Sequence, residues 1–244
     1  METALIVVMS AWFVGGFITG VGGVGGAMFA VPIAALFLPI QDVIVLSCIL
    51  NMAMDITLTV MHFRFCRVSA MWPMLIGTIP GTLVGLFLLL LIPEAVLQGM
   101  VGVFLLSFLF WQKYCRGNKK GQESWLAGGI AGCASGVLGA AISFDSPPVG
   151  AYGLYVGWTP RVLLGTLGVY FIIRGVFTCV LQASSGLFSP EIVQYVLFAF
   201  PVTMLGTACS FPVVKRVNQE TFNKVLRCII ATGALICMYR ATGI

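Results

Sequence analysis

The chain has 244 residues, 59% of them hydrophobic and only 9% charged, with a net charge of +5. Soluble domains carry about a quarter charged residues, so this composition argues against a water-soluble enzyme and places the chain in lipid. The basic excess lies in short runs around Arg64, Lys113 to Lys120 and Lys215, which bears on topology and gives no sign of a nucleic-acid partner.

Hydropathy divides the chain into eight apolar segments, approximately 3–38, 43–61, 69–92, 95–113, 125–156, 162–182, 191–213 and 221–239. Charge is absent over 3–41, 68–93, 95–112 and 192–214, and a bilayer crossing needs about 20 apolar residues. Segment one lacks a basic leader and runs on past the roughly 15 to 30 residues of a secretory signal, so it is expected to remain as mature structure.

Segments one and five are longer than a crossing requires, and glycine and proline interrupt each midway, at Gly20 to Pro32 and at Gly136 to Pro148. At one constant offset Gly16, Gly20, Gly23 and Pro32 superpose on Gly132, Gly136, Gly139 and Pro148. After a short insertion Ser47, Asn51 and Asp55 of segment two fall opposite Thr166, Tyr170 and Arg174 of segment six, and Gly81-Thr82 falls opposite Gly206-Thr207. The expectation is an all-α polytopic membrane protein built of two four-segment repeats, residues 1–113 and 125–244, joined by a basic cytoplasmic linker, 114–124.

If every segment crossed once, Arg64, Arg67 and the Lys113–Lys120 run would lie on one side and Lys215-Arg216 on the other. That conflicts with the cytoplasmic preference of Lys and Arg. If segments one and five instead enter and return on one side as broken, V-shaped helices, all three clusters become cytoplasmic and Glu94 and Glu191 external. The halves are then inverted repeats. At 36 and 32 residues (3–38 and 125–156) each V is barely long enough for two full crossings, which puts its turn near mid-membrane.

Backbone that leaves the helix inside a bilayer must be buried in protein or line a watery cavity, since each unsatisfied amide costs several kcal/mol. The broken segments therefore point to the site, where half-helix N-termini offer N–H groups and positive partial charge to an anion. The run Gly20 to Gly26, with Gly22, Gly23, Gly25 and Gly26, removes side chains so that a ligand reaches amides, and Pro32 restarts or kinks the next helix. Close helix packing alone is the competing reading. The counterpart is Ser143-Phe144-Asp145-Ser146-Pro147-Pro148.

Ser47, Asn51 and Asp55 recur every four residues and share one helix face, as do Thr166, Tyr170 and Arg174. The stripes are expected to face each other across the repeat interface, where buried charge marks a pathway or its counter-ion. Arg174 is the strongest single candidate, either for the anion or for a structural ion pair with Asp55 or Asp145. Asp55 and Asp145 are the coupling or counter-ion candidates, and Asp145 also suits a helix N-cap.

The eight cysteines include no CxxC and no Cys/His cluster, so they read as packing residues and call for no metal, disulfide framework or cofactor. An intramembrane hydrolase would need Ser135 with His62, the single histidine, or with a carboxylate such as Asp145, and is the weaker alternative to a carrier or an anion channel. Trp72, Trp111, Trp125 and Trp158 lie at segment edges and read as interfacial anchors.

Four stretches carry a family resemblance: GGFITGVGGVGGAMFAVP near the start, SCILNMAMD, FRFCRVSAMWPMLIGTIPGTLVG, and SGVLGAAISFDSPPVGAYGLYVGWTPRVLLGTLGVYF in the second half. With them the chain resembles the TauE/SafE-type sulfite exporters, also called the toluene sulfonate uptake permease family. The family's second motif reads GxxGxGGPP, whereas here Ala140-Ala141 replaces the paired glycines and Phe144-Asp145-Ser146 precedes Pro147-Pro148. That departure bears on the substrate, because the altered half-site would line the same cavity. The resemblance implies transport of sulfite, sulfoacetate, another organosulfonate or thiosulfate across a bacterial inner membrane. Amides of Gly22 to Gly26, hydroxyls of Ser47 and Thr166, the Asn51 amide and Arg174 would suit such a head group, with Ser146 and Tyr170 beside them. The expected partners are a small anion and the lipid bilayer; a homo-oligomer is left open.

Overall fold

The computed structural model describes residues 2–23, 25–114, 121–214 and 219–242. Among them every regular element is a helix. The first half holds α1 (Glu2–Gly22), α2 (Gly26–Ala34), α3 (Ile40–His62), α4 (Val68–Leu91) and α5 (Glu94–Tyr114). The second holds α6 (Trp125–Ile142), α7 (Ser146–Val156), α8 (Pro160–Ser184), α9 (Pro190–Val214) and α10 (Gln219–Ala241). Six of these, α1, α3, α4, α6, α8 and α9, are long and apolar enough to cross a membrane. The protein is therefore a polytopic helical membrane protein.

Segments one and five each form two helices, as their glycines and prolines predict, but the arms are unequal. The 21 residues of α1 reach about 30 Å at 1.5 Å per residue, while the nine of α2 reach roughly 14 Å. Pro32 does not restart a helix: it sits inside α2, which begins at Gly26. Pro147 and Pro148 do open α7, in the first turn, where a missing N–H is tolerated. Gly157, at φ 80°, closes that helix.

Small residues set the packing. Gly77, Gly81 and Gly85 on α4 lie against the backbone of Gly129, Cys133 and Val137 on α6, so the two helices run parallel. Gly16 on α1 meets Thr203 and Thr207 on α9, and Gly20 meets Thr207 and Ser210, a second parallel seam. Without side chains at these steps the backbones approach closely, which is how apolar helices associate where lipid removes the hydrophobic driving force. The central seam is antiparallel: Gly165, Gly168 and Gly175 of α8 meet His62, Thr59 and Met52 of α3. Gly102 and Gly99 of α5 meet Met238 and Ala241 of α10, again antiparallel. The pairs α3/α8 and α5/α10 thus run in opposite senses.

Charge separates along the helix axes. Glu94 Oε1 accepts the Ile40 N–H at 2.8 Å, placing Glu94 beside Asp42 at the start of α3. Glu191 in the first turn of α9 opens at the same end. Arg64 and Arg67 follow the other end of α3, where Arg67 Nη1 pairs with Glu123 Oε1 at 2.9 Å and Arg161 lies over the Phe65 ring. Arg240 is an exception, donating to the Ala35 and Leu36 carbonyls. Most of the expected linker, 115–120, and the Lys215-Arg216 cluster lie outside the described residues. Trp72 and Trp125 are exposed as expected of anchors, but Trp158 is buried, its Nε1 donating to Glu123 Oε1 at 3.1 Å.

Candidate functional site: two helix breaks against the middle of α3

The first break is a glycine structure. Gly23 (φ 77°) and Gly25 (φ 107°) hold left-handed conformations that let the chain reverse. Thr19 fixes the turn: its Oγ1 accepts the Gly26 N–H at 3.0 Å and donates to Met54 Sδ of α3 at 3.3 Å. Gly25→Ala is expected to cost about 1–3 kcal/mol, the strain of a side chain at that φ. Gly150→Ala, where an added Cβ meets nothing within 4 Å, should leave the melting temperature unchanged or raise it. Thermal melts of the two variants check this.

The second break comes one turn later than the glycine alignment predicts. Opposite Val24-Gly25 the second half has Ala140-Ala141, and alanine, the best helix former, carries α6 on to Ile142. Ser143 then adopts φ 65°, unusual for a residue with a side chain, with its Oγ hydrogen-bonded to Ser47 Oγ. Phe144 stacks on Phe104 with ring centroids 5.5 Å apart.

Between the breaks lies a small cavity, partly open to the outside. Thr19, Gly23, Gly25, Gly26, Ala27 and Met28 form one wall, Ser143 to Pro147 the other, and Asn51, Met54 and Asp55 of α3 the floor, with Phe171 from α8. Asn51 is the midpoint of α3 (Ile40–His62), so the cavity sits halfway along the helices.

Arg174 and Asp145 form a buried ion pair, Nη2 to Oδ2 at 2.6 Å, with the two residues 3% and 6% exposed. This geometry selects the ion-pair reading of Arg174 and names Asp145, not Asp55, as its partner. The N-cap reading of Asp145 fails, because its side chain makes no capping hydrogen bond; Ser146 Oγ donates to its Oδ1 at 3.1 Å instead. Gly139 makes room for the guanidinium, since an added Cβ there would overlap Nη1 and stand 2.8 Å from Cζ. Arg174 Nε and Nη1 find no acceptor among the described residues.

Gly23, Gly25, Gly26, Asn51, Asp55, Asp145 and Ser146 all line the cavity, as expected of binding residues. Others predicted with them do not. Gly22 is exposed at the end of α1. Ser47 lies behind Ser143. Thr166 Oγ1 accepts the Arg67 N–H at 3.0 Å and tethers the loop before α4, while Tyr170 OH bonds to Thr78 Oγ1. The polar stripes therefore do not face each other. The glycines of α8 and the sulfur-bearing residues of α3 make the central seam, which turns Tyr170 toward α4 and Arg174 toward α6.

The amides are unequal too. Pro147 and Pro148 have no N–H, so Ser146 alone among residues 146–148 can offer one. At α2 the Gly26 N–H is taken by Thr19, while Ala27 and Met28 open α2 at the cavity wall. Sequence reasoning missed Thr19 and Phe171. Thr19 was signalled only by standing next to the glycine run, and Phe171 by nothing local.

The hydrolase reading lacks its dyad. His62 Nδ1 lies 3.1 Å from the Leu58 carbonyl, and Ser135 is buried beside Tyr170. Two cysteines predicted as packing residues meet across the central seam: Cys179 Sγ is 3.5 Å from Cys48 Sγ and 3.9 Å from Met52 Sδ. Both thiols are free, and no group of His, Cys, Asp and Glu among the described residues could hold a metal ion.

A sequence profile described as Sulfite exporter TauE/SafE matches residues 8–236. The chain belongs to the TauE/SafE family. No curated protein and no solved structure matches it. Membership in a transporter family and the six crossing-length helices together make this TauE/SafE chain a multi-pass membrane transporter. The cavity described above is its candidate cargo site.

Proposed function

We infer that the chain is a secondary carrier, not an enzyme, that moves a small sulfur-containing anion such as sulfite, sulfoacetate or another organosulfonate across a bacterial inner membrane. The observation that carries this reading is a cavity with Asn51, Asp55, Asp145 and Ser146 in its lining, held between two helix breaks midway along the crossing helices. Non-helical backbone at that depth persists only where protein or a water-filled cavity satisfies it, and carriers built from repeats use such places for cargo.

In this reading the anion's oxygens take the free N–H groups of the first turn of α2 and the Asn51 side chain, whose buried Oδ1 lacks a partner. An amide flip or a protonated oxygen on the cargo satisfies that atom. Arg174 supplies positive charge from behind Asp145 and keeps the donors on Nε and Nη1 to offer. The opposite senses within the pairs α3/α8 and α5/α10 support inverted repeats, residues 1–113 and 125–244, joined through 114–124. Rocking of one against the other about the α3–α8 seam would expose the cavity to each side in turn.

The test is a thermal-shift screen of the purified protein with sulfite, sulfoacetate and other sulfonates, followed by flux in proteoliposomes. A ligand that binds only the native state at 100 times its Kd stabilises by about 2.7 kcal/mol, a shift of several degrees. Saturable counter-flow marks a carrier. Unitary currents would make the protein a channel, and intact protein that neither binds nor moves any sulfur anion would end the proposal.

A further inference from the structure

The charges around the cavity do not balance for a negative cargo. Three ionisable side chains meet there: Asp145 and Asp55 line it, and Arg174 is bound to Asp145. The ion pair cancels its own charge, which leaves Asp55 as an uncompensated carboxylate. Asp55 makes no hydrogen bond or ion pair among the described residues, and the charges acting on it are those of Asp145 and Arg174. On α3 itself the other ionisable groups of aspartate or histidine type, Asp42 and His62, stand at the helix ends.

A carboxylate and an anion within one cavity of this size repel strongly. At about 4 Å and an effective dielectric of 20 the cost is around 4 kcal/mol, and it rises as water is excluded. A cation must therefore enter with the cargo. Among the described residues the anionic group left unpaired at the cavity is the Asp55 carboxylate, and the cation it can bind covalently, without a cage of further oxygen ligands, is a proton.

Resting on the anion-carrier reading, we propose that Asp55 is the proton-coupling residue: it takes up one proton whenever the cavity holds an anion and releases it when the anion leaves. Asp145 is not the coupling group, because it is committed to Arg174 and shares its Oδ1 with Ser146. Protonated Asp55 gains an O–H donor directed into the cavity, a hydrogen bond that the carboxylate cannot give. Proton and anion then cross on the same half-cycle. For a monoanion the loaded carrier adds no net charge, and an outside-acid gradient drives uptake.

Proteoliposomes and sulfur-labelled isethionate, a sulfonate whose single charge does not titrate near neutrality, separate the steps. Wild-type protein should catalyse exchange between equal internal and external pools, and should accumulate isethionate when the outside is acid. One proton per anion and one pH unit set a limit of about tenfold accumulation, since one unit is a tenfold proton ratio. Asp55→Asn stays neutral, so whatever exchange it retains should become independent of pH while gradient-driven accumulation falls to onefold. Asp55→Glu should recover accumulation.

Accumulation by Asp55→Asn equal to wild type, or wild-type flux indifferent to the pH gradient, overturns the coupling role. Loss of exchange in Asp55→Asn with folded protein, judged by an unchanged melting temperature, overturns it as well and makes Asp55 a binding residue. Absence of exchange in the wild type with both isethionate and sulfite instead strikes the carrier reading beneath it.

Discussion

Arg174→Ala is expected to destabilise the protein by about 3–5 kcal/mol, because it leaves the buried Asp145 carboxylate without its partner. Asp145→Ala should cost a similar amount, for it strands a guanidinium wedged against Gly139. The double variant Arg174→Met/Asp145→Asn removes both charges and keeps the volume. It should recover most of the loss, since neutral replacement of a buried pair is often tolerated. Melting of the single and double variants in detergent reads these differences.

Anion binding should separate from stability in that series. Arg174→Lys keeps the charge and part of the affinity for sulfite. The recovered double variant should bind sulfite more weakly, because the Arg174 donors left without acceptors, on Nε and Nη1, are then gone. Sulfite affinity in the double variant equal to wild type would reduce the ion pair to a structural element.

Oxidation of the central seam should stop transport outright. With the other six of the eight cysteines replaced by serine, copper phenanthroline and oxygen take two electrons and two protons from Cys48 and Cys179, which begin 3.5 Å apart. The resulting bond ties α3 of one half to α8 of the other. Flux should fall to that of protein-free liposomes and return on addition of dithiothreitol. Undiminished flux through quantitatively crosslinked protein would show that the halves need not part at this seam. Cys48→Ser in the same background is the control, unable to crosslink and expected to transport throughout.

Much of the fold was legible because lipid is a strict solvent. Charge-free stretches of crossing length had to become helices, and the glycine and proline clusters at Gly20–Pro32 and Gly136–Pro148 had to mark breaks, since hydrocarbon offers an amide no other partner. The crossing helices and both breaks appear where those rules put them. The one-turn delay of the second break was also open to reading, from Ala140-Ala141 where the first half has Val24-Gly25.

The site was legible in part. Gly23, Gly25, Gly26, Asn51, Asp55, Asp145 and Ser146 share the cavity because a break and a mid-helix polar face both seek non-lipid surroundings. Ser47, Thr166 and Tyr170 have the same polarity and spacing but serve packing and loop tethers. Periodicity states which residues share a face; it does not state which neighbour that face meets.

By itself the sequence determined a helical membrane protein with two broken segments, and motifs that place it in its family, because hydropathy, glycine and proline act locally along the chain. Only the tertiary structure decided that Arg174 binds Asp145, that Asp55 is left alone at the cavity, and that Cys48 meets Cys179. Those outcomes depend on the rotation of each helix about its axis. Side-chain volume at the α3–α8 seam sets that rotation, through Gly165, Gly168 and Gly175 against their neighbours, and no local pattern encodes a contact between residues on different helices.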